Sequence, residues 1–193
     1  MGQYYRVIIE QDNSKLALYD TKLGGELQGS KLMEHSWFRN EFVNAIAYEI
    51  FLEPKRVAWV GDYADSVISD FPNIPVKALY ETAWGKEKEK FTDLYIKDEK
   101  FTINSKFLVN HDTKEYLDLN TYFINNVQSD GWCTHPLPLL TAIGNGLGGG
   151  DFYTHAQDEE QIANVGKWAW NKLELTDEAP EGYTEVLFKF IEE

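Results

Sequence analysis

The sequence predicts an α+β domain with a largely antiparallel sheet, one main amphipathic helix and a few short helices. Three observations lead there. Strand-like runs outnumber helical ones, several neighbouring runs are joined by short polar turns, and no regular strand-helix-strand alternation appears. There is no internal repeat, low-complexity tract or linker, so residues 1–193 are expected to form a single domain.

The first hairpin is read from Tyr4–Glu10 and Leu16–Tyr19, β-branched and aromatic runs flanking Gln11-Asp12-Asn13-Ser14. A loop with Gly24, Gly25 and Gly29 follows. Ser36 then stands as an N-cap before Phe38, Phe42, Ile46 and Ile50, whose spacing predicts the main helix, ending near Pro54. Arg56–Val60 is an apolar run stopping at Gly61, the pattern of a buried strand. Pro72 and Pro75 break the next stretch, with a short helix expected over Val76–Trp84 and a surface charge cluster over Lys86–Lys90.

Phe107–Asn110 and Glu115–Leu119 flank His111-Asp112-Thr113-Lys114 and predict a second hairpin with a four-residue loop. Leu137–Ile143 is apolar and leads into residues 144–150, five of which are glycine. Asp158–Val165 suggests a short acidic helix. Trp168, Trp170, Leu173 and Leu175 suggest a strand carrying both tryptophans on one face, and a turn at Ala179–Gly182 leads to a last strand over Tyr183–Ile191.

Composition narrows the function classes. The net charge is 18 − 32 = −14, which opposes phosphate backbones and anionic membrane surfaces. Direct nucleic-acid binding and membrane binding are therefore not expected. The same charge suits a cationic partner, or an acidic protein that occupies a host protein's nucleic-acid groove if its carboxylates line one face. Cys133 is the single cysteine, which rules out an internal disulfide and suits a reducing cytoplasm. No signal peptide, membrane span or myristoylation signal is read from the sequence.

Four groups of residues have chemical potential. The words Val57-Ala58-Trp59-Val60-Gly61-Asp62-Tyr63-Ala64-Asp65 and Asn110-His111-Asp112 resemble part of the calcineurin-like metallophosphoesterase pattern, in which such side chains hold two metals that activate water. The resemblance is fragmentary: no Asp-x-His precedes Asp62, Ser66 stands where that family has Arg, and no later Gly-His-x-His occurs. Asp62 and Asp65 also suit a turn or cap, and Asn110–Asp112 a hairpin tip.

Gly144, Gly146 and Gly149 satisfy the G-x-G-x-x-G spacing of a dinucleotide loop. Acidic Asp158-Glu159-Glu160 opens the next helix and opposes a pyrophosphate there, so no nucleotide cofactor is expected. The segment Gly144, Asn145, Gly146, Gly148 and Asp151, with Trp132 and His135, is instead a candidate ligand-binding region, against the plainer reading of a tight loop. Asp62, Asp65, His135 and Asp151 are the candidate metal ligands. Cys133, His135, Asp151 and His155 lie close in sequence but show no standard ligand spacing. Tyr4, Tyr5, Trp59, Tyr63, Trp132, Trp168 and Trp170 are aromatics that suit either a pocket wall or the core.

The words MGQYY, VAWVGDYAD, NHDTKEYLDL, HPLPLLTAIGNGLGGGD and PEGYTE resemble, over most of the chain, a family of small uncharacterised proteins found in bacteria and their phages. That resemblance implies a cytoplasmic or mobile-element setting and supplies no activity. The expected function is a non-enzymatic binding protein for a small molecule or protein partner, with a metal-dependent hydrolase of phosphate esters or nucleotides as the alternative.

Overall fold

A computed structural model of the chain describes residues 2–11, 15–19, 21–23, 26–64, 92–93, 105–152 and 159–190. Asp65, the proposed helix over 76–84, the charge cluster at 86–90 and His155 lie outside them. The described fold is α+β, with most strand pairs antiparallel.

The expected first hairpin is present: β1 (Tyr5–Gln11) pairs antiparallel with β2 (Lys15–Tyr19). The glycine-containing stretch after it holds a smaller hairpin, β3 (Thr21–Leu23) with β4 (Glu26–Gln28). The central strand β5 (Lys55–Gly61) pairs antiparallel with β1, Val7 opposite Trp59. A short β6 (Thr92–Asp93) lies parallel to β2.

The second hairpin, β7 (Phe107–Asn110) and β8 (Glu115–Asp118), also forms as the sequence predicts, with His111–Lys114 as its turn. Asn110 Oδ1 accepts from the N–H groups of Asp112 and Thr113 at 3.0 and 3.2 Å, so the Asn builds the turn. Helix α2 (Leu119–Asn126) follows, capped by Asp118, and then α3 (Pro136–Leu140), β9 (Ala142–Ile143), α4 (Glu159–Asn164), β10 (Lys172–Thr176) and β11 (Thr184–Glu185). The apolar run 137–143 is thus divided between a helical turn and a strand.

The main helix α1 (Glu41–Leu52) buries Phe42, Val43, Ile46 and Ile50 against the sheet, where Phe42 meets Trp59 edge-on at 6.1 Å. Its N-cap is Asn40, not Ser36. Asn40 Oδ1 accepts from Phe42 and Val43 N–H at 3.0 and 3.1 Å. Residues 36–38 cannot start the helix because their backbone is already paired with 133–135: Phe38 N–H donates to Cys133 O at 3.0 Å and His135 N–H to Ser36 O at 2.6 Å.

Two further expectations are corrected. Trp168 and Trp170 are not on a strand, for residues 166–170 form turns whose N–H groups reach Leu139, Leu140 and Val57, and Trp170 sits at φ 59°. The last strand is two residues long rather than running over Tyr183–Ile191. Beyond it the Asn126 side chain takes the place of a neighbouring strand, its amide nitrogen donating to Tyr122 O at 2.9 Å and to Phe188 O at 3.1 Å and its oxygen accepting from Phe190 N–H at 3.0 Å. This lets Phe188 and Phe190 turn into the core.

Val7, Ile9, Val57 and Trp59 face the main core while Ile8, Ala58 and Val60 are buried as well, so β1 and β5 are covered on both faces. Among the described residues no helix is long and apolar enough to cross a membrane.

The cap assignment has a direct test. Asn40→Ala is expected to lower the unfolding free energy by about 1 kcal/mol in urea titrations. Ser36→Ala should be near neutral, because the buried Ser36 hydroxyl has no hydrogen-bond partner among the described residues. A larger loss for Ser36→Ala than for Asn40→Ala would return the cap to Ser36.

Candidate functional site

The edge of β5 that does not face β1 is shared. Lys55 and Arg56 pair with β10, whereas Trp59 and Val60 pair with β9, which runs parallel to β5. Two parallel strands therefore end side by side, β5 at Gly61 and β9 just before Gly144. Tyr5 lies opposite Gly61 across the β1–β5 ladder. Residues 2–5, the Asp62 turn and the glycine loop 144–150, remote in sequence, meet at one end of the central strands, an edge of the sheet where β5 and β9 finish rather than an unpaired strand.

Under this edge lies a buried polar network. Gln3, Tyr5 and Asp151 are fully buried. The Tyr5 hydroxyl donates to the Asp151 carboxylate, 3.0 and 3.1 Å from its two oxygens. Hydrogen-bond complementarity orients the Gln3 amide: its nitrogen lies 2.7 Å from Tyr5 Oη and 2.5 Å from Asp151 Oδ2, and its oxygen accepts from Tyr63 N–H at 3.2 Å. Phe152 N–H donates to Asp151 Oδ1 at 2.8 Å. Burial, reinforced by the Asp151 charge, holds the Tyr5 phenol well above its ordinary pKa, so it remains a neutral donor.

Glycine is required on both sides of this network. A Cβ on Gly61 would lie 2.8 Å from the Gln3 side chain, and one on Gly144 would meet Tyr5 Oη and come within 2.6 Å of the Gln3 amide. The loop beyond is held in shape. Asn145 Oδ1 accepts from Leu147 N–H at 3.0 Å, Gly146 and Gly150 adopt φ of 71° and 82°, and Gly150 O accepts from Met33 N–H at 3.0 Å. Its tip exposes an apolar side chain, Leu147, at 63%.

Asp62 caps the edge through a reciprocal contact with Tyr4. Tyr4 N–H donates to Asp62 Oδ1 at 3.2 Å, and Asp62 N–H to Tyr4 O at 3.0 Å. Partial burial raises the Asp62 pKa, against the opposing pull of the Tyr4 N–H. The rings of Tyr4 and Tyr63 face solvent, at 36% and 39% exposure.

The other sequence candidates lie elsewhere. Trp132, Cys133 and His135 belong to the segment paired with 36–38, and their hydrogen bonds run to residues 36–38, 128, 130, 134 and 137 rather than to the glycine loop. His135 caps α3: its Nδ1 accepts from Leu137 N–H at 3.1 Å, and the Phe38 ring packs 4.6 Å away. Burial drives its pKa down to about 3. Burial likewise pushes the Cys133 thiol up to about 12, so the thiolate that a nucleophile needs is not formed near neutrality. Trp59, Trp168 and Trp170 are core residues.

The metal candidates separate in the same way. Asp62 and Asp151 share the edge, His135 is engaged at α3, and Asp65 lies outside the described residues. Among the described residues no three His, Cys, Asp or Glu side chains form a metal-holding group. The two words that resemble a metallophosphoesterase are also kept apart. Asp62 follows the end of β5, while Asp112 pairs with Arg56 near its start, about 20 Å away along the strand. Burial alone would raise the Asp112 pKa, but the Arg56 guanidinium and Lys172 N–H outweigh it and hold it low.

Comparison of the chain with protein-family models, with curated proteins and with solved structures gave no match. The geometry alone therefore carries the functional reading. Sequence reasoning passed over Gln3. Its signal was position: Gln3 and Tyr5 begin the inward row that continues as Val7 and Ile9, so a polar side chain there has to find buried partners.

The His135 environment predicts a pH effect. The folded form stays neutral down to about pH 3, while an unfolded histidine gains its proton near pH ~6.5. Stability should therefore fall as pH drops through this window, with a contribution of up to ~1.4 kcal/mol per pH unit. His135→Asn keeps an N-cap acceptor but cannot titrate, and it should flatten that part of the slope in urea unfolding measured across the window. An unchanged slope in the variant would remove His135 as the cause.

Proposed function

We propose that this chain is a non-enzymatic binding protein whose site lies at the end of the central strands, formed by the glycine loop 144–150, the Asp62 turn and Tyr4. The observation that carries this reading is the parallel β5–β9 pair, which brings two turns together beyond adjacent carboxyl ends of strands. Loops beyond the carboxyl ends of adjacent parallel strands are a recurrent place for ligands to bind.

The chemistry of the edge favours a partner with positive charge or several hydrogen-bond donors, either a small molecule or a basic segment of a protein. Asp62 supplies an acceptor, and the exposed rings of Tyr4 and Tyr63 offer faces that attract cations. Leu147 adds apolar contact, and the net charge of −14 steers such a partner inward. Binding without turnover at this site is supported by the way its own groups are engaged, since Asp151 and Tyr5 bond one another, while His135 is held apart in a helix cap.

A thermal-shift screen against polyamines, arginine-rich peptides, nucleotides and divalent metals tests the reading. A cationic compound at 100 times its dissociation constant should stabilise the chain by ~2.7 kcal/mol. Tyr63→Ala and Asp62→Asn should abolish that shift while leaving the unliganded protein folded. Stabilisation by nucleotides or metals alone, or a cationic shift that survives both substitutions, would overturn it.

A further inference from the structure

At the other end of β5 from the glycine loop, three side chains from separate segments form a continuous hydrogen-bonded line. Glu174 Oε2 lies 2.8 Å from His111 Nε2, and His111 Nδ1 lies 2.9 Å from Tyr183 Oη. In the neutral imidazole the proton sits on Nε2, because the Glu174 carboxylate can only accept. Nδ1 then presents its lone pair, and Tyr183 O–H must be the donor to it. The order is acid anion, oriented base, hydroxyl, which is the arrangement that activates a hydroxyl nucleophile.

Backbone contacts fix each member. His111 N–H donates to Lys172 O at 2.9 Å, and Glu174 lies opposite Val109 in the β7–β10 ladder. Tyr183 follows Gly182, which adopts φ 76°, and the next residue, Thr184, donates its N–H to Lys114 O at 2.9 Å. The His111 and Tyr183 rings meet edge to face at 5.8 Å. His111, Glu174 and Tyr183 are all partly exposed, which places the line of side chains at the protein surface rather than in the core.

We propose that Tyr183 is a nucleophile for activated carboxylic esters, with His111 as its base and Glu174 as a positioning residue. In the step, Tyr183 Oη attacks the ester carbonyl carbon and gives its proton to His111 Nδ1, while Glu174 stabilises the imidazolium. The tetrahedral adduct collapses as the carbon–oxygen bond to the leaving alcohol breaks, and that oxygen takes the proton from Nδ1. The acyl group ends on Tyr183, the alcohol is released, and His111 returns to its starting form.

The test is acetylation of the full chain by p-nitrophenyl acetate, followed by peptide mass mapping. Tyr183 should acquire acetyl about a hundredfold faster than the solvent-exposed Tyr4 and Tyr63. This comparison within the unaltered protein needs no variant to fold. His111→Ala should slow Tyr183 acetylation by a similar factor, and added imidazole should restore it, which a purely structural role for His111 would not allow. Glu174→Gln should also slow it, with Glu174→Asp recovering part of the rate. Acetylation of Tyr183 at the rate of Tyr4 and Tyr63, or at full rate in a folded His111→Ala variant, would overturn the proposal.

Discussion

The hydrogen bonding of β5 along both edges is the constraint on which the other placements depend. One edge is taken by β1 in a regular antiparallel ladder, and the other is divided between β10 at its start and β9 at its end. A strand paired on both sides and buried on both faces has no freedom to slip, since a one-residue shift would turn Trp59 out of the core and leave ladder groups unpaired. The division of the second edge also sets chain direction: β9 runs parallel to β5 where β10 runs antiparallel. That change of partner places the glycine loop beside the Asp62 turn, and it leaves the β7–β8 turn at the opposite end.

The Gln3–Tyr5–Asp151 network shows how a glycine-rich loop becomes a fixed part of a structure. Buried polar groups are costly unless bonded, and here a phenol, an amide and a backbone N–H converge on one carboxylate. That convergence is possible because Gly61 and Gly144 leave room for the Gln3 and Tyr5 side chains. The loop is consequently tied at its far end by Asp151, at Gly150 by Met33, and internally by Asn145. Its exposed parts, Leu147 and Gly149, stand on a base held by these hydrogen bonds.

The hairpins and the main helix were legible because their signals are local. Asn110–Lys114 is a turn through the bonds of Asn110 to its own following N–H groups, and the repeat of Phe42, Ile46 and Ile50 is a property of one helix face. Ser36 was misread as the cap, and Trp168-Ala169-Trp170 as a strand, because neither local pattern discloses a competing partner. Residues 133–135 occupy the backbone of 36–38, and Leu139, Leu140 and Val57 accept from the turns at 166–170. At the candidate site, the sequence showed the glycines and Asp62 as two unrelated features, and their union through β9 depends on a two-residue parallel pairing that no periodicity reports.

The sequence by itself determined the α+β class, the net charge of −14, and the segments with turn and helix character, since these follow from composition and from contacts a few residues apart. Only the tertiary structure decided which polar groups became neighbours. It joined Tyr5 to Asp151 across 146 positions and Tyr183 to His111 across 72, while directing His135 into a helix cap and separating Asp62 from Asp112. Such choices rest on strand order and burial, and these are settled by the whole core at once rather than by any stretch of chain read alone.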